Sequence, residues 1–168
     1  MVAGTIRWFS RRRPIGTYVG SDINAPAAQT GSPRVFARMR IVPPDPPRVG
    51  ILDDDVSFRR GLTLLLRSYG FSVQAFASAG SLLRRAAAGL LECDVLILDV
   101  HLGKTNGFAV HDALKAAGNT SPTIFITGRD EPAIRARLSR IRASGYLVKP
   151  FDGAALIAAV QAALAASA

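Results

Sequence analysis

The chain holds a single cysteine, Cys93, in 168 residues, which excludes an internal disulfide and fits a reducing cytoplasm. No run in it approaches the ~20 apolar residues of a membrane-spanning helix, and its start lacks the basic, apolar, small-residue order of a secretory signal. Acids are scarce, 12 against 21 basic groups, for a net charge of +9. That imbalance belongs mainly to the front, where residues 1–48 hold eight arginines against Asp22 and Asp45; residues 49–168 hold 13 basic and ten acidic groups. A solvated basic arm and a weak pull toward nucleic acid or anionic surfaces both agree with this. Proline is rare after residue 48, because seven of the ten lie before it and four of them fall in Ile41-Val-Pro-Pro-Asp-Pro-Pro47. That stiff, donor-poor segment reads as a linker, dividing a mostly irregular, basic, Pro-rich extension (1–47) from a domain (48–168). An apolar content of 49% gives the domain material for a core.

What the domain does have is a continuous apolar run delivering a carboxylate. In Asp94-Val-Leu-Ile-Leu-Asp99 no polar residue interrupts Val95 to Leu98, the pattern of a parallel strand covered on both faces. Asp99 then stands where the strand ends, and in open α/β sheets such ends face the ligand crevice. A second run, Arg48-Val-Gly-Ile-Leu-Asp-Asp-Asp55, also finishes in acids. Two like charges ~4 Å apart cost about 4 kcal/mol at an effective dielectric near 20, so this cluster calls for a cation or for protons. A hard divalent ion with oxygen ligands, Mg2+ by preference, meets that need. Asp55 reads as the cap of the helix that follows.

The rest of the domain alternates. After a strand at Val49–Asp53, Phe58, Leu62, Leu65, Leu66 and Tyr69 line one helix face, closed by Gly70. A strand at 71–76 precedes a helix capped by Ser78 and running to about Leu91. Beyond Asn106-Gly107 come a helix with Phe108 and Leu114 inward, a strand at 122–127, a basic helix from about Glu131 to Ser144, a short strand at 146–148, and a last helix capped by Asp152. His111 reads as a helix-surface residue, and Arg135, Arg137, Arg140 and Arg142 as an exposed face or a docking surface. Five strands and five helices in strict alternation make a doubly wound α/β fold, a parallel sheet with helices on both faces.

Residues 48–166 resemble the receiver domain of bacterial response regulators, through Leu52-Asp-Asp54, Leu98-Asp99 with Asn106-Gly107, Ile126-Thr-Gly128 and Tyr146-Leu-Val-Lys-Pro-Phe151. The resemblance implies a flavodoxin-like strand order 2-1-3-4-5 and phosphorylation of Asp99 by a sensor histidine kinase or phosphotransfer protein. It further implies Mg2+ held by Asp53, Asp54, Asp99 and the backbone carbonyl of His101, with Thr127 and Lys149 on the phosphoryl group. Thr127 and Tyr146 would form the switch that alters a surface for a downstream target protein, and the fourth helix and fifth strand offer a homodimer face. The protein would be a phosphoprotein in a phosphorelay rather than an enzyme. Gly103 stands where the family often has proline, which implies a more mobile loop.

An aspartate-nucleophile phosphohydrolase of the haloacid dehalogenase type is the competing chemistry. It wants a second Asp two residues after the nucleophile, and His101 stands there. In the extension, Gly4-Thr-Ile-Arg-Trp-Phe9 and Val35-Phe36 resemble parts of a cold-shock domain, which would make Trp8, Phe9 and Phe36 stacking candidates for single-stranded nucleic acid. The expected aromatic second strand is replaced by Pro14-Ile-Gly-Thr-Tyr-Val19. With four residues after Leu164, the expected arrangement is a stand-alone receiver, a truncated longer regulator being the alternative.

Overall fold

Each helix of the domain starts at a residue that the local chemistry marks. In the computed structural model, which describes residues 45–103 and 105–167, β1 (Arg48–Leu52) leads into α1 (Val56–Ser68). Asp55 caps α1 by accepting the N–H groups of Ser57 and Phe58 at 2.8 and 2.9 Å. β2 (Ser72–Phe76) precedes α2 (Ala79–Ala87), where Ser78 accepts the N–H of Ser81. β3 (Val95–Asp99) is followed by two short strands, β4 (His101–Leu102) and β5 (Thr105–Asn106), and then by α3 (Gly107–Ala116), capped by Asn106. β6 (Thr123–Thr127), α4 (Pro132–Arg140), β7 (Gly145–Val148) and α5 (Gly153–Ala165), capped by Asp152, complete the order. Trp8, Phe9 and Phe36 lie outside the described residues.

The main sheet runs β2-β1-β3-β6-β7, parallel throughout. Counting only its own strands, this is the expected order 2-1-3-4-5. Alternate residues of the apolar strands feed two cores. Val49, Ile51, Val95, Ile97, Ile124 and Ile126 pack with Leu62 and Leu66 of α1 and Leu156, Ile157 and Val160 of α5. Leu52, Leu96, Leu98 and Phe125 pack with Leu82 of α2, Val110 and Leu114 of α3 and Ile134 and Leu138 of α4 on the other face. A continuous apolar strand is thus what a sheet covered on both sides requires.

Several boundaries differ from expectation, each for a local reason. β1 stops at Leu52, which leaves Asp53 just beyond the strand end. α2 stops at Ala87 because Gly89, at φ +69°, turns the chain while Gly89 and Leu90 return their N–H groups to Ala86 and Arg85. α4 stops at Arg140 because Arg142 takes a left-handed φ of 52° and Ala143 bonds back to Leu138, a Schellman closure with no glycine to announce it. His111 is not on the surface. It is 6% exposed, its ring centroid 5.7 Å from that of Phe125, and burial pulls its imidazole below its ordinary pKa. The loop after β3 is not an irregular excursion but an antiparallel ribbon pairing His101 with Asn106 and Leu102 with Thr105. Gly103 enters its turn at φ +53°, which a proline ring locked near −65° cannot adopt.

Gly107 shows how tightly α3 is set on β3. A Cβ there would fall 2.2 Å from the backbone carbonyl oxygen of Asp99, whereas one on Gly61, in the interior of α1, meets nothing within 4 Å. Gly107→Ala is therefore expected to destabilise by more than about 2 kcal/mol through forced backbone shifts, and Gly61→Ala to stabilise by about 0.4–1 kcal/mol by restricting the unfolded chain. Urea unfolding midpoints of the two variants, compared with wild type, check both signs.

Candidate functional site

The site is assembled by the carboxyl ends of three parallel strands. Asp53 directly follows β1, and its N–H continues the β1–β2 ladder by donating to Phe76. Asp99 ends β3 opposite Ile126 of β6. Lys149 follows β7, and its N–H donates to the Thr127 carbonyl at 2.7 Å. The side chains meet: Lys149 Nζ donates to Asp53 Oδ2 at 2.9 Å and to Asp99 Oδ2 at 2.8 Å. Asp53 Oδ1 accepts the Asp55 N–H at 2.9 Å, and Asp99 Oδ1 accepts the His101 N–H at 3.0 Å. All four carboxylate oxygens thus have a donor, as buried groups require; Asp53 and Asp99 are 1% and 6% exposed.

Burial sets the electrostatics. It raises the Asp53 carboxyl above the ordinary value of 3.8, against the hydrogen bond and charge of Lys149. It also works against the Lys149 ammonium, but the hydrogen bonds and charges of Asp99 and Asp53 outweigh it and hold Lys149 above 10.5. Asp54 is exposed, and one oxygen each from Asp53, Asp54 and Asp99 lie within 4.8 Å of one another. Three hard oxygen donors at that spacing are a donor set suited to a small divalent cation. The ribbon borders the cluster, since a Cβ on Gly103 would stand 3.6 Å from Asp54 Oδ2.

Of the residues singled out in the sequence, Asp53, Asp54, Asp99 and Lys149 converge. Thr127 ends β6 at the same sheet edge and Tyr146 stands second in β7, but the hydrogen bonds among the described residues do not tie them to the acids. The fully buried Thr127 hydroxyl donates to the Arg129 carbonyl at 2.9 Å and accepts the Arg129 N–H at 3.1 Å. Tyr146, opposite Phe125, is 43% exposed. His101 enters through a contact not foreseen, the N–H donated to Asp99, while its side chain is exposed. Two more residues had no place at the site in the sequence reading. Arg59 Nη1 donates to the Asp53 backbone carbonyl at 2.6 Å, and the Phe58 ring lies against Lys149. Their position in the first turn of a helix following three acids was the available signal. Cys93 is no competing nucleophile, because burial, aided by Asp94, pushes its thiol up to about 12.

A doubly wound sheet with a lysine-bridged acidic cluster at its carboxyl edge defines the class of this protein. Residues 49–161 match the family model "Response regulator receiver domain", and the chain belongs to that family. It is 36% identical over 114 residues to the response regulator protein TodT of Pseudomonas putida, covering 68% of this chain and 49% of TodT. It is 37% identical over 115 residues to nodulation protein W of Bradyrhizobium diazoefficiens, covering 68% of this chain and 50% of that protein. A crystal structure of a response regulator receiver protein from Burkholderia phymatum superposes with a TM-score of 0.64 at 35% identity, over 71% of this chain and 95% of that one. The chain spans about half the length of the curated relatives it matches.

The charge balance predicts a pH signature. Because burial raises Asp53 above its unfolded value, folding takes up protons as this group titrates, so acidification toward its range favours the fold. Lys149 contributes stability present below 10.5 and lost only as pH rises through its still higher folded value. Lys149→Met removes the cation from two buried acids and should cost about 2–3 kcal/mol at pH 7, below the full penalty for a broken buried pair because Lys149 is partly solvated. The loss should be smaller at pH 5 than at pH 7, because burial raises Asp53 and loss of the ammonium removes what opposed that rise. Urea denaturation at the two pH values decides; equal losses would mean the three groups are not electrostatically coupled.

Proposed function

We propose that Asp99 is the phosphoacceptor of a phosphorelay. The observation that carries this is the single ammonium of Lys149 held between Asp53 and Asp99. A carboxylate oxygen of Asp99 attacks the phosphorus of a phosphohistidine on a sensor kinase or phosphotransfer protein. The P–N bond breaks, its electron pair stays on the imidazole nitrogen, and an acyl phosphate forms on Asp99. In-line transfer of this kind depends on positioning and on cancelling charge at the equatorial oxygens. Lys149 does so with the charge that already neutralises Asp99, and the His101 N–H orients the attacking carboxylate. Mg2+ held by Asp53, Asp54 and Asp99, with the His101 carbonyl, would supply further charge cancellation at the phosphoryl oxygens. The acceptor is the protein's own side chain, so the outcome is a changed state rather than a released product.

The new group carries close to two negative charges. Thr127, one residue beyond the β6 partner of Asp99, would answer it with its hydroxyl, and Tyr146, half-exposed on the edge strand β7, would turn inward. The surface so altered comprises α4 and β7, a candidate face for a downstream target or a second copy. No helix among the described residues is long and apolar enough to cross a membrane, and the proposed setting is the cytoplasm.

Phosphoramidate or acetyl phosphate with Mg2+, followed by intact-mass measurement, tests the proposal. Wild type should gain one phosphoryl group, Asp99→Asn none, and a chelator should abolish the gain. A folded wild-type chain that gains nothing from these donors or from a phosphorylated histidine kinase would overturn it.

A further inference from the structure

Lys149 is held on two sides, and only one of them is acidic. Its Nζ lies 4.0 Å from the centroid of the Phe58 ring, while its donated hydrogen bonds run to Asp53 and Asp99. An ammonium over an aromatic face is attracted by the ring quadrupole, more strongly where water is partly excluded, and the Lys149 side chain is only 23% exposed. Phe58 is itself held through its backbone and through its ring. The Phe58 N–H is the donor bound by the capping carboxylate of Asp55 at 2.9 Å. Phe151, two residues beyond Lys149, meets Phe58 edge-on, with centroids 5.7 Å apart and planes at 85°. The first turn of α1 thus supports the loop after β7 exactly where that loop presents its cation.

We infer that Phe58 is a positioning residue for phosphoryl transfer, acting through Lys149, an inference that rests on Asp99 being the phosphoacceptor. Lysine carries four rotatable stem bonds and a mobile point charge. The transferring phosphoryl group arrives between Lys149 and Asp99, so the hydrogen bond to Asp99 must be surrendered as the reaction proceeds. At that moment the ring face, with the bond to Asp53, is a contact that need not change. It keeps the ammonium at the sheet edge without competing for the phosphoryl oxygens, which a second carboxylate in its place would repel. An aliphatic residue would fill the same space against Phe151 but offer no such attraction.

The test separates the ring's electrostatics from its bulk. Phe58→Leu should lower the maximal rate of phosphorylation at saturating phosphoramidate and Mg2+ about three- to tenfold, with a thermal midpoint within about 3 °C of wild type. Phe58→Tyr should restore the rate to within about twofold. A direct readout needs no phosphoryl donor: the Lys149 Hε resonances, assigned by their loss in Lys149→Met, should be shifted upfield by the ring current in wild type and Phe58→Tyr and return to the free-lysine position in Phe58→Leu. A Leu variant as fast as wild type, or Leu and Tyr variants equally slow, overturns the inference. A missing ring-current shift also overturns it while leaving phosphorylation of Asp99 intact. A chain that shows the shift but takes no phosphoryl group on Asp99 overturns the functional reading, and the positioning role with it.

Discussion

Two buried carboxylates at adjacent strand ends are an arrangement that folding should resist, and one ammonium makes it tolerable. The Lys149 contacts to Asp53 and Asp99, at 2.9 and 2.8 Å, link the ends of β1, β3 and β7 across the central width of the sheet. Such a bridge adds little net stability, because desolvation offsets much of the attraction. Its structural effect is to specify alignment. If β7 slipped by one residue against β6, Lys149 would point to the other face of the sheet and both acids would be left without their cation. The rest of the fold can be read as the means of keeping that register: helices packed on both faces of the strands, caps at Asp55, Asn106 and Asp152, and a glycine at 107 where the Asp99 carbonyl leaves no room for a side chain.

This explains why so much was legible beforehand. A strand buried on both faces must be apolar throughout, so the runs ending at Leu52 and Asp99 declared both their location and their carboxyl ends. Side-chain caps are local, and Asp55, Ser78 and Asp152 were found because each acts within three residues of itself. The acids and Lys149 followed from those strand ends together with the resemblance to receiver domains.

What escaped the reading was either too short or too distant. A ribbon with two residues in each strand has no periodicity to detect, so His101–Asn106 looked like loop. Arg142 adopts a left-handed conformation without being glycine or asparagine, so α4 appeared to continue. His111 was assigned to the surface because histidine usually belongs there. It is buried because α3 packs that side chain toward Phe125, a contact made across the fold rather than along it. Phe58 was read as a core position of its helix and Arg59 was not singled out, and only the approach of α1 to the site gives them neighbours there.

The Thr127 hydroxyl is already saturated, giving its proton to Arg129 and receiving the Arg129 N–H in return. Drawing that hydroxyl toward any new acceptor at the sheet edge therefore breaks bonds before it makes one, and it strips two main-chain groups of the next loop of their partner. Exchanging hydrogen bonds in this way changes free energy by only about 1 kcal/mol per bond, so neither arrangement is overwhelmingly preferred. Under the proposed phosphoryl transfer, the loop carrying Gly128 and Arg129 would act as a counterweight: its need for a replacement donor and acceptor would set the threshold that an incoming charge must exceed, and small changes in its sequence would move that threshold without touching the acids.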